Sequence, residues 1–330
     1  MFKLALAQMA HPTQGDVINA ARTWALKAAN AGAQLLVFPE CLMTPFEKTP
    51  EEFAASAQPL NGAFVQAMGE IARESGLWLV FTVNEKNTAG EAPASTTSTT
   101  SELPVNTAGE APASTTSTTS ELPVNTAGEA PASTTNATTS SNTSRAASSS
   151  NNLPARPFNT AVVMDSDGHV QASYRKTHLY AAHGIDEHEK MSTGSALFTP
   201  LKTPFCTLGL GICYDLRFPE VARAAALAGC NVLLFPAAWV AGPSKVRHWE
   251  TLLAARAIEN ELFVAGCCRP DRNCIGHSQV INPLGEVIAK AGEGEQLLVA
   301  EIDLDQVKSA RANMPCFEHR RPELYLPLVQ

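Results

Sequence analysis

Thr207-Leu208-Gly209-Leu210-Gly211-Ile212-Cys213-Tyr214-Asp215-Leu216-Arg217 decides the reading of this chain. The apolar run up to Ile212 reads as a strand, the polar run from Tyr214 breaks it, and residues 218–229 follow with a helical pattern. A sharp turn between strand and helix lifts the residue at the turn off the sheet edge. The Cys213 thiol and the backbone N–H of Tyr214 are then aimed at whatever lies above. Two other strands stop on reactive side chains. Gln34-Leu35-Leu36-Val37-Phe38-Pro39 delivers Glu40, and the stretch ending Ser173-Tyr174-Arg175 delivers Lys176. A carboxylate, an ammonium and a thiol at three strand ends make a nucleophilic site.

Each residue taken alone has a plainer explanation. Glu40 after a proline caps the next segment, Lys176 is a solvated charge, and Cys213 is a core thiol. Their joint occurrence reverses that. LeuValPheProGlu at 36–40, TyrArgLysThrHis at 174–178 and GlyIleCysTyrAspLeuArgPhe at 211–218 resemble, in order, the three signature blocks of the nitrilase superfamily, the carbon–nitrogen hydrolases. The resemblance runs from Leu4 to about Tyr325 with one interruption. It implies a Glu–Lys–Cys triad of Glu40, Lys176 and Cys213, and a second glutamate in the loop after the lysine. Glu187 best fits that spacing, with Glu189 as the alternative. It also implies an α/β/β/α sandwich, a homodimer, a small-molecule amide substrate and no cofactor.

Composition narrows the partners. The formal charge of −8 and pI near 5.5 exclude nucleic acid and anionic membrane, both of which need a basic face. The apolar start is too short for a signal-peptide core, and no run approaches the roughly 18 apolar residues of a membrane span. A cytoplasmic protein is expected. Its eight cysteines contain no Cys-x-x-Cys pair, and the adjacent Cys267 and Cys268 are poor geometry for one zinc. They read as small buried hydrophobes, with no metal. His178, His183 and His188, five apart, share no helical face and read as loop histidines.

Residues 87–157 differ from the rest. Asn87-Thr88-Ala89-Gly90-Glu91-Ala92-Pro93 recurs from Asn106 and Asn125, a 19-residue period that decays into Ser, Thr and Asn. The segment has no aromatic residue and cannot bury a core, so a disordered insert is expected. One hydrolase domain, residues 1–86 and 158–330, remains. Lengthening a loop from about 5 to about 70 residues costs only roughly 2 kcal/mol in closure entropy, which a fold tolerates.

Outside the insert, strands are expected at 4–8, 35–38, 77–83, 161–164, 169–174, 205–212, 231–235, 262–267, 278–281, 286–290 and 297–302. Helices are expected at 16–31, 63–75, 218–229, 248–260 and from 305. Periodicity supports an α/β class; helices on both outer faces of mixed strands give the sandwich.

Chemically, Glu40 takes the proton as Cys213 attacks an amide carbon and returns it to the leaving ammonia. Lys176 and the Tyr214 N–H stabilise the oxyanion, and water then cleaves the thioester. Trp239, just past a strand end, is placed against the substrate pocket. Arg217 and Glu220 are read as salt bridges near the elbow, away from substrate. Within the superfamily the chain looks most like the Nit-type amidases, whose implied substrates are 2-oxo acid amides (ω-amidase), deaminated glutathione or a carbamoyl amine. Tyr214-Asp215, where true nitrilases carry Trp-Glu, favours an amide over a nitrile. The rival class is a non-catalytic adhesion protein working through its repeats.

Overall fold

Alternation along the first strand sets the layering. In the computed structural model, which describes residues 1–12, 16–88, 155–271 and 273–325, β1 (Phe2–Gln8) sends Leu4 and Leu6 into one apolar cluster and Ala5 and Ala7 into another. That is what a two-residue repeat requires of a strand buried on both faces. β2 (Leu35–Val37), β3 (Trp78–Glu85) and β4 (Phe158–Met164) divide alike, with Val37, Val80 and Val163 on the first side and Leu36, Phe81 and Val162 on the second.

The second side is covered by α1 (Val17–Asn30) and, past the short α2 (Pro50–Ser56), by α3 (Ala63–Ser75). Asp16 caps α1, its side chain accepting from the Ile18 N–H at 2.9 Å. β5 (Val170–Arg175) completes the hairpin expected around Asp165-Ser166-Asp167-Gly168.

A two-stranded ribbon, β6 (Ala181–Ala182) and β7 (Ile185–Asp186), leads to the second sheet. That sheet holds β8 (Leu201–Lys202), β9 (Thr207–Leu210), β10 (Val232–Ala237), β11 (Phe263–Cys268), β12 (Gln279–Ile281) and β13 (Val287–Lys290) in the order β13-β12-β11-β10-β9-β8. α4 (Pro219–Leu227) and α5 (Lys245–Asn260) pack on its outer side through Ala222, Ala225, Trp249 and Leu253. β14 (Gln296–Ile302) then pairs with β1, giving the first sheet the order β14-β1-β2-β3-β4-β5. α6 (Asp305–Asn313) and α7 (Pro322–Tyr325) follow. The fold is an α/β/β/α sandwich.

Several boundaries differ from expectation. α5 starts three residues before His248, and α2, the β6–β7 ribbon and β8 were not anticipated. β3 and β4, which flank the low-complexity segment, pair directly, Glu85 opposite Phe158. The disorder expected for 87–157 falls on residues of which 89–154 lie outside the described ones. The flanks are anchored on Ser192: its hydroxyl receives the Asn87 amide at 3.1 Å and donates to the Arg156 carbonyl at 2.8 Å.

Candidate active site

The elbow at Cys213 is built by exclusion. The Gly211 N–H continues the ladder to the Leu234 carbonyl at 3.0 Å. A Cβ at Gly211 would lie 2.5 Å from Cε1 of Phe235, so only glycine fits this close approach. Two residues on, Cys213 takes a left-handed backbone (φ 48°) and opens a 3₁₀ turn, Cys213–Arg217. Such a conformation costs a side-chain-bearing residue on the order of 1–2 kcal/mol, so something must hold it.

Asp215, fully buried, is that brace. One carboxylate oxygen accepts the Ile212 N–H at 2.8 Å and the Tyr174 hydroxyl at 2.9 Å; the other is 2.7 Å from Nδ1 of His178. His178 also stacks on Phe218, ring centroids 3.8 Å apart. The histidine read as a loop residue thus clasps the Lys176 segment to the Cys213 turn.

Lys176, on the first sheet's edge, is held by its N–H to the Asn159 carbonyl at 2.9 Å. Its fully buried ammonium lies 2.8 Å from a Glu40 oxygen and 2.8 Å from a Glu187 oxygen. Glu40 also accepts from the Asn159 amide and from the Ala238 N–H, each at 2.8 Å. Glu187 accepts the Tyr180 N–H at 2.8 Å. The 3₁₀ turn Glu187–Glu189 points Glu187 inward and leaves Glu189 exposed.

Burial alone would lower the Lys176 pKa, but Glu187 and Glu40 outweigh it and hold the ammonium well above its ordinary range. Burial raises the Glu187 carboxyl, with Lys176 opposing. Burial, then the neighbouring Glu40 carboxylate, pushes the Cys213 thiol well up. A thiol so raised rests protonated, and attack requires a neighbouring base; the Glu40 carboxylate is the charge that acts most strongly on the thiol. The Lys176 ammonium is a preplaced donor for charge developing on a carbonyl oxygen.

Above the thiol opens a pocket whose floor includes Cys213 and Glu187 and whose walls include Phe46, Tyr180, Tyr214 and Trp239. Trp239 both walls this pocket and packs on Trp249, centroids 5.3 Å apart. Two cations join the wall. Arg217 lies 4.8 Å from the Trp239 ring centroid. Lys245, buried, donates to the Tyr180 hydroxyl at 3.2 Å, and its backbone carbonyl receives the Trp239 indole N–H at 3.1 Å. Neither cation has a carboxylate within salt-bridge distance among the described residues, nor does Glu220 have a cation. This corrects the salt-bridge reading of Arg217 and Glu220: the side chain of Arg217 turns along the Trp239 face toward the pocket.

Sequence reasoning passed over Asn159 and Lys245, and used Asp215 only to favour an amide over a nitrile. Asn159 was signalled by a polar amide inside an apolar strand and Asp215 by its place in the turn, whereas no local pattern marks Lys245. Of the eight thiols six are buried, Cys274 is half-buried and Cys316 exposed. His183 and His188 stay in the ribbon and the following turn, exposed. Among the described residues the one cluster with metal-ligand spacing is Asp165, Asp167 and His169 in the β4–β5 turn, with both Asp167 and His169 exposed. No helix among them is long and apolar enough to cross a membrane.

Comparison with known proteins converges on one family. The carbon–nitrogen hydrolase family model matches residues 3–109 and 118–312. The chain is 29% identical over 338 residues to an omega-amidase of Xenopus laevis, covering 98% of this chain and 96% of that protein. It is 40% identical over 180 residues to the deaminated glutathione amidase of Homo sapiens, a match to 51% of this chain and 54% of the human protein. The crystal structure of the Caenorhabditis elegans NitFhit protein superposes with a TM-score of 0.73 at 27% identity, covering 98% of this chain and 66% of that one. The chain is therefore a hydrolase of carbon–nitrogen bonds other than peptide bonds, and it belongs to the carbon–nitrogen hydrolase family, the nitrilase superfamily, among its Nit-type amidases.

Proposed function

We propose that Cys213 is the nucleophile of a cofactor-free, metal-free amidase acting on a small amide that carries a carboxylate, in the manner of an ω-amidase on a 2-oxo acid amide. Glu40 takes the thiol proton as sulfur attacks the amide carbon, then delivers it to departing ammonia. Lys176 and the Tyr214 N–H receive the oxyanion, and Glu187 holds Lys176 in place. Water, with Glu40 again as base, cleaves the thioester. The observation that carries the substrate class is the pair of cations in the pocket wall, Arg217 and Lys245, with no carboxylate partner above a thiol. A guanidinium and an ammonium so placed recognise an anionic group at the end of the acyl chain.

The same proposal takes residues 1–86 and 158–330 as one catalytic domain, working as a cytoplasmic homodimer, with the low-complexity segment outside the chemistry. Two measurements test it. Cys213→Ala should abolish ammonia release from 2-oxoglutaramate while leaving the circular dichroism spectrum unchanged; ammonia release at the wild-type rate overturns the assignment. Replacing residues 89–154 by a five-residue turn should leave kcat/KM within about threefold, because loop closure enters only logarithmically; collapse of activity would make the segment functional.

A further inference from the structure

Phe46 walls the pocket above Cys213, yet it belongs to no helix or strand: β2 ends at Val37 and α2 begins at Pro50. Leu42 is fixed by its N–H to the Thr82 hydroxyl at 3.3 Å, and Thr49 by the cap it gives α2. Between them, residues 43–48 form one backbone–backbone hydrogen bond among the described residues, from the Lys48 N–H to the Pro45 carbonyl at 3.3 Å, and it does not involve Phe46. A wall carried on such a segment keeps its place only through contacts made from elsewhere in the fold.

Lys190 supplies them. It follows the 3₁₀ turn that opens at Glu187, its N–H reaching the Glu187 carbonyl at 3.0 Å. Its ammonium donates to the Phe46 carbonyl at 2.8 Å and lies 4.5 Å from the Phe46 ring centroid and 5.6 Å from that of Phe53. The two rings meet edge to face, centroids 6.4 Å apart. Phe53 is fully buried and forms, with Leu179 and Met191, a small apolar cluster apart from the two main ones; Phe46 packs against it. No carboxylate lies within salt-bridge distance of the Lys190 ammonium among the described residues. Its charge is met by two ring faces and a carbonyl, and a shift of Phe46 would remove one ring and the carbonyl together.

We propose that Lys190 is a positioning residue for substrate binding, latching Phe46 against Phe53 so that it stands as a wall of the acyl pocket. The inference rests on the amidase reading above and adds to it a residue that acts through Phe46. One short turn then serves the site twice, Glu187 facing the Lys176 ammonium and Lys190 holding the Phe46 wall. Lys190 makes no hydrogen bond to Glu40, Lys176 or Cys213 among the described residues, so the latch bears on how substrate is held rather than on proton transfer or oxyanion stabilisation. Losing an interaction that ground state and transition state share raises KM and leaves kcat in place.

The test uses the full-length protein. Lys190→Met keeps the length of the side chain and removes its charge and donors. It should raise KM for 2-oxoglutaramate about tenfold with kcat within about twofold. Lys190→Arg, which keeps a cation over the rings and a donor for the carbonyl, should return KM to within about threefold of wild type. Phe46→Ala should raise KM at least as much as Lys190→Met, and combining the two should change KM by less than about twofold beyond Phe46→Ala alone, because the latch then has no ring to hold. Chymotrypsin cleavage after Phe46, mapped by mass spectrometry, should be about tenfold faster in Lys190→Met than in wild type, a readout that needs no substrate. An unchanged KM in Lys190→Met, a loss confined to kcat, fully multiplicative effects of the two substitutions, or equal cleavage rates overturns the latch. A wild type that releases no ammonia from 2-oxoglutaramate overturns the substrate reading instead, and the cleavage rates then decide the latch on their own.

Discussion

Two cysteines sit at strand ends beside Glu40, one from each sheet, and they differ in one respect that matters. Cys41 and Cys213 both have left-handed backbones, φ 60° and 48°. Both are buried, and in both burial and then the Glu40 carboxylate push the thiol up. Yet Cys213 floors the pocket under Arg217 and Lys245, whereas Cys41 borders the small cavity behind Glu40 with His11 and Arg269. Strain, burial and a neighbouring base are therefore common to both positions and cannot by themselves mark a nucleophile. Space for a substrate carbon in front of the sulfur distinguishes them; the Lys176 charge opposes the rise at both.

The comparison can be broken most severely at Lys176. If that ammonium serves the Cys213 face, Lys176→Met should lower kcat by about 100- to 1000-fold. It should also lower thermal stability by about 3–5 kcal/mol, because Glu40 and Glu187 lose their buried counter-charge. Full activity in a folded Lys176→Met protein would remove the distinction between the two thiols. A smaller effect is expected at His178, which touches the Cys213 turn only through Asp215. His178→Leu should lower kcat about tenfold with KM little changed, read by steady-state ammonia release. An effect on KM alone would place His178 at the substrate instead.

The smallest effect belongs to Cys41. Cys41→Ala should leave kcat/KM within about threefold. Its signature is in alkaline stability. Seven thiols (Cys41, Cys206, Cys213, Cys230, Cys267, Cys268 and Cys274) are raised above the ordinary value of 9.0. Above about pH 9 the unfolded chain then holds fewer protons than the folded one, so stability falls as pH rises. Removing Cys41 removes one share of that fall, and the Tm of the variant should decline less steeply between pH 9 and 11. Identical slopes would mean that the Cys41 thiol titrates as freely when folded as when unfolded.

Much of this architecture is legible along the chain because it is local. A run such as 207–212 that stops on a polar turn can place its last residue nowhere but at a sheet edge, and the Asp165-to-Gly168 turn specifies its hairpin. α2 carries its own start signal, Thr49-Pro50-Glu51-Glu52: Thr49 accepts the Glu52 N–H at 3.3 Å and Glu52 accepts the Thr49 N–H at 2.8 Å. Hydrophobic periodicity alone passes over a seven-residue helix with one buried side chain, Phe53. Other features are set by long-range packing. Whether Glu187 or Glu189 faces Lys176 depends on the phase of a single 3₁₀ turn. Whether Arg217 finds a carboxylate or an aromatic face depends on where the loop carrying Trp239 comes to rest. Lys245 stands 65 residues from the Tyr180 hydroxyl it bonds, a pairing no local pattern encodes.

The direct pairing of β3 with β4 turns the low-complexity segment into a graft on a stiff seam. Phe158, opposite Glu85, is the first paired residue after it, and the next, Asn159, holds Glu40 by its side-chain amide at 2.8 Å. Whatever is spliced at this seam is tethered two residues from Asn159, a hydrogen-bond partner of the proposed base. The enzyme thereby carries a built-in attachment point at which a tag, a tether or an applied load acts on the base through two residues and one hydrogen bond.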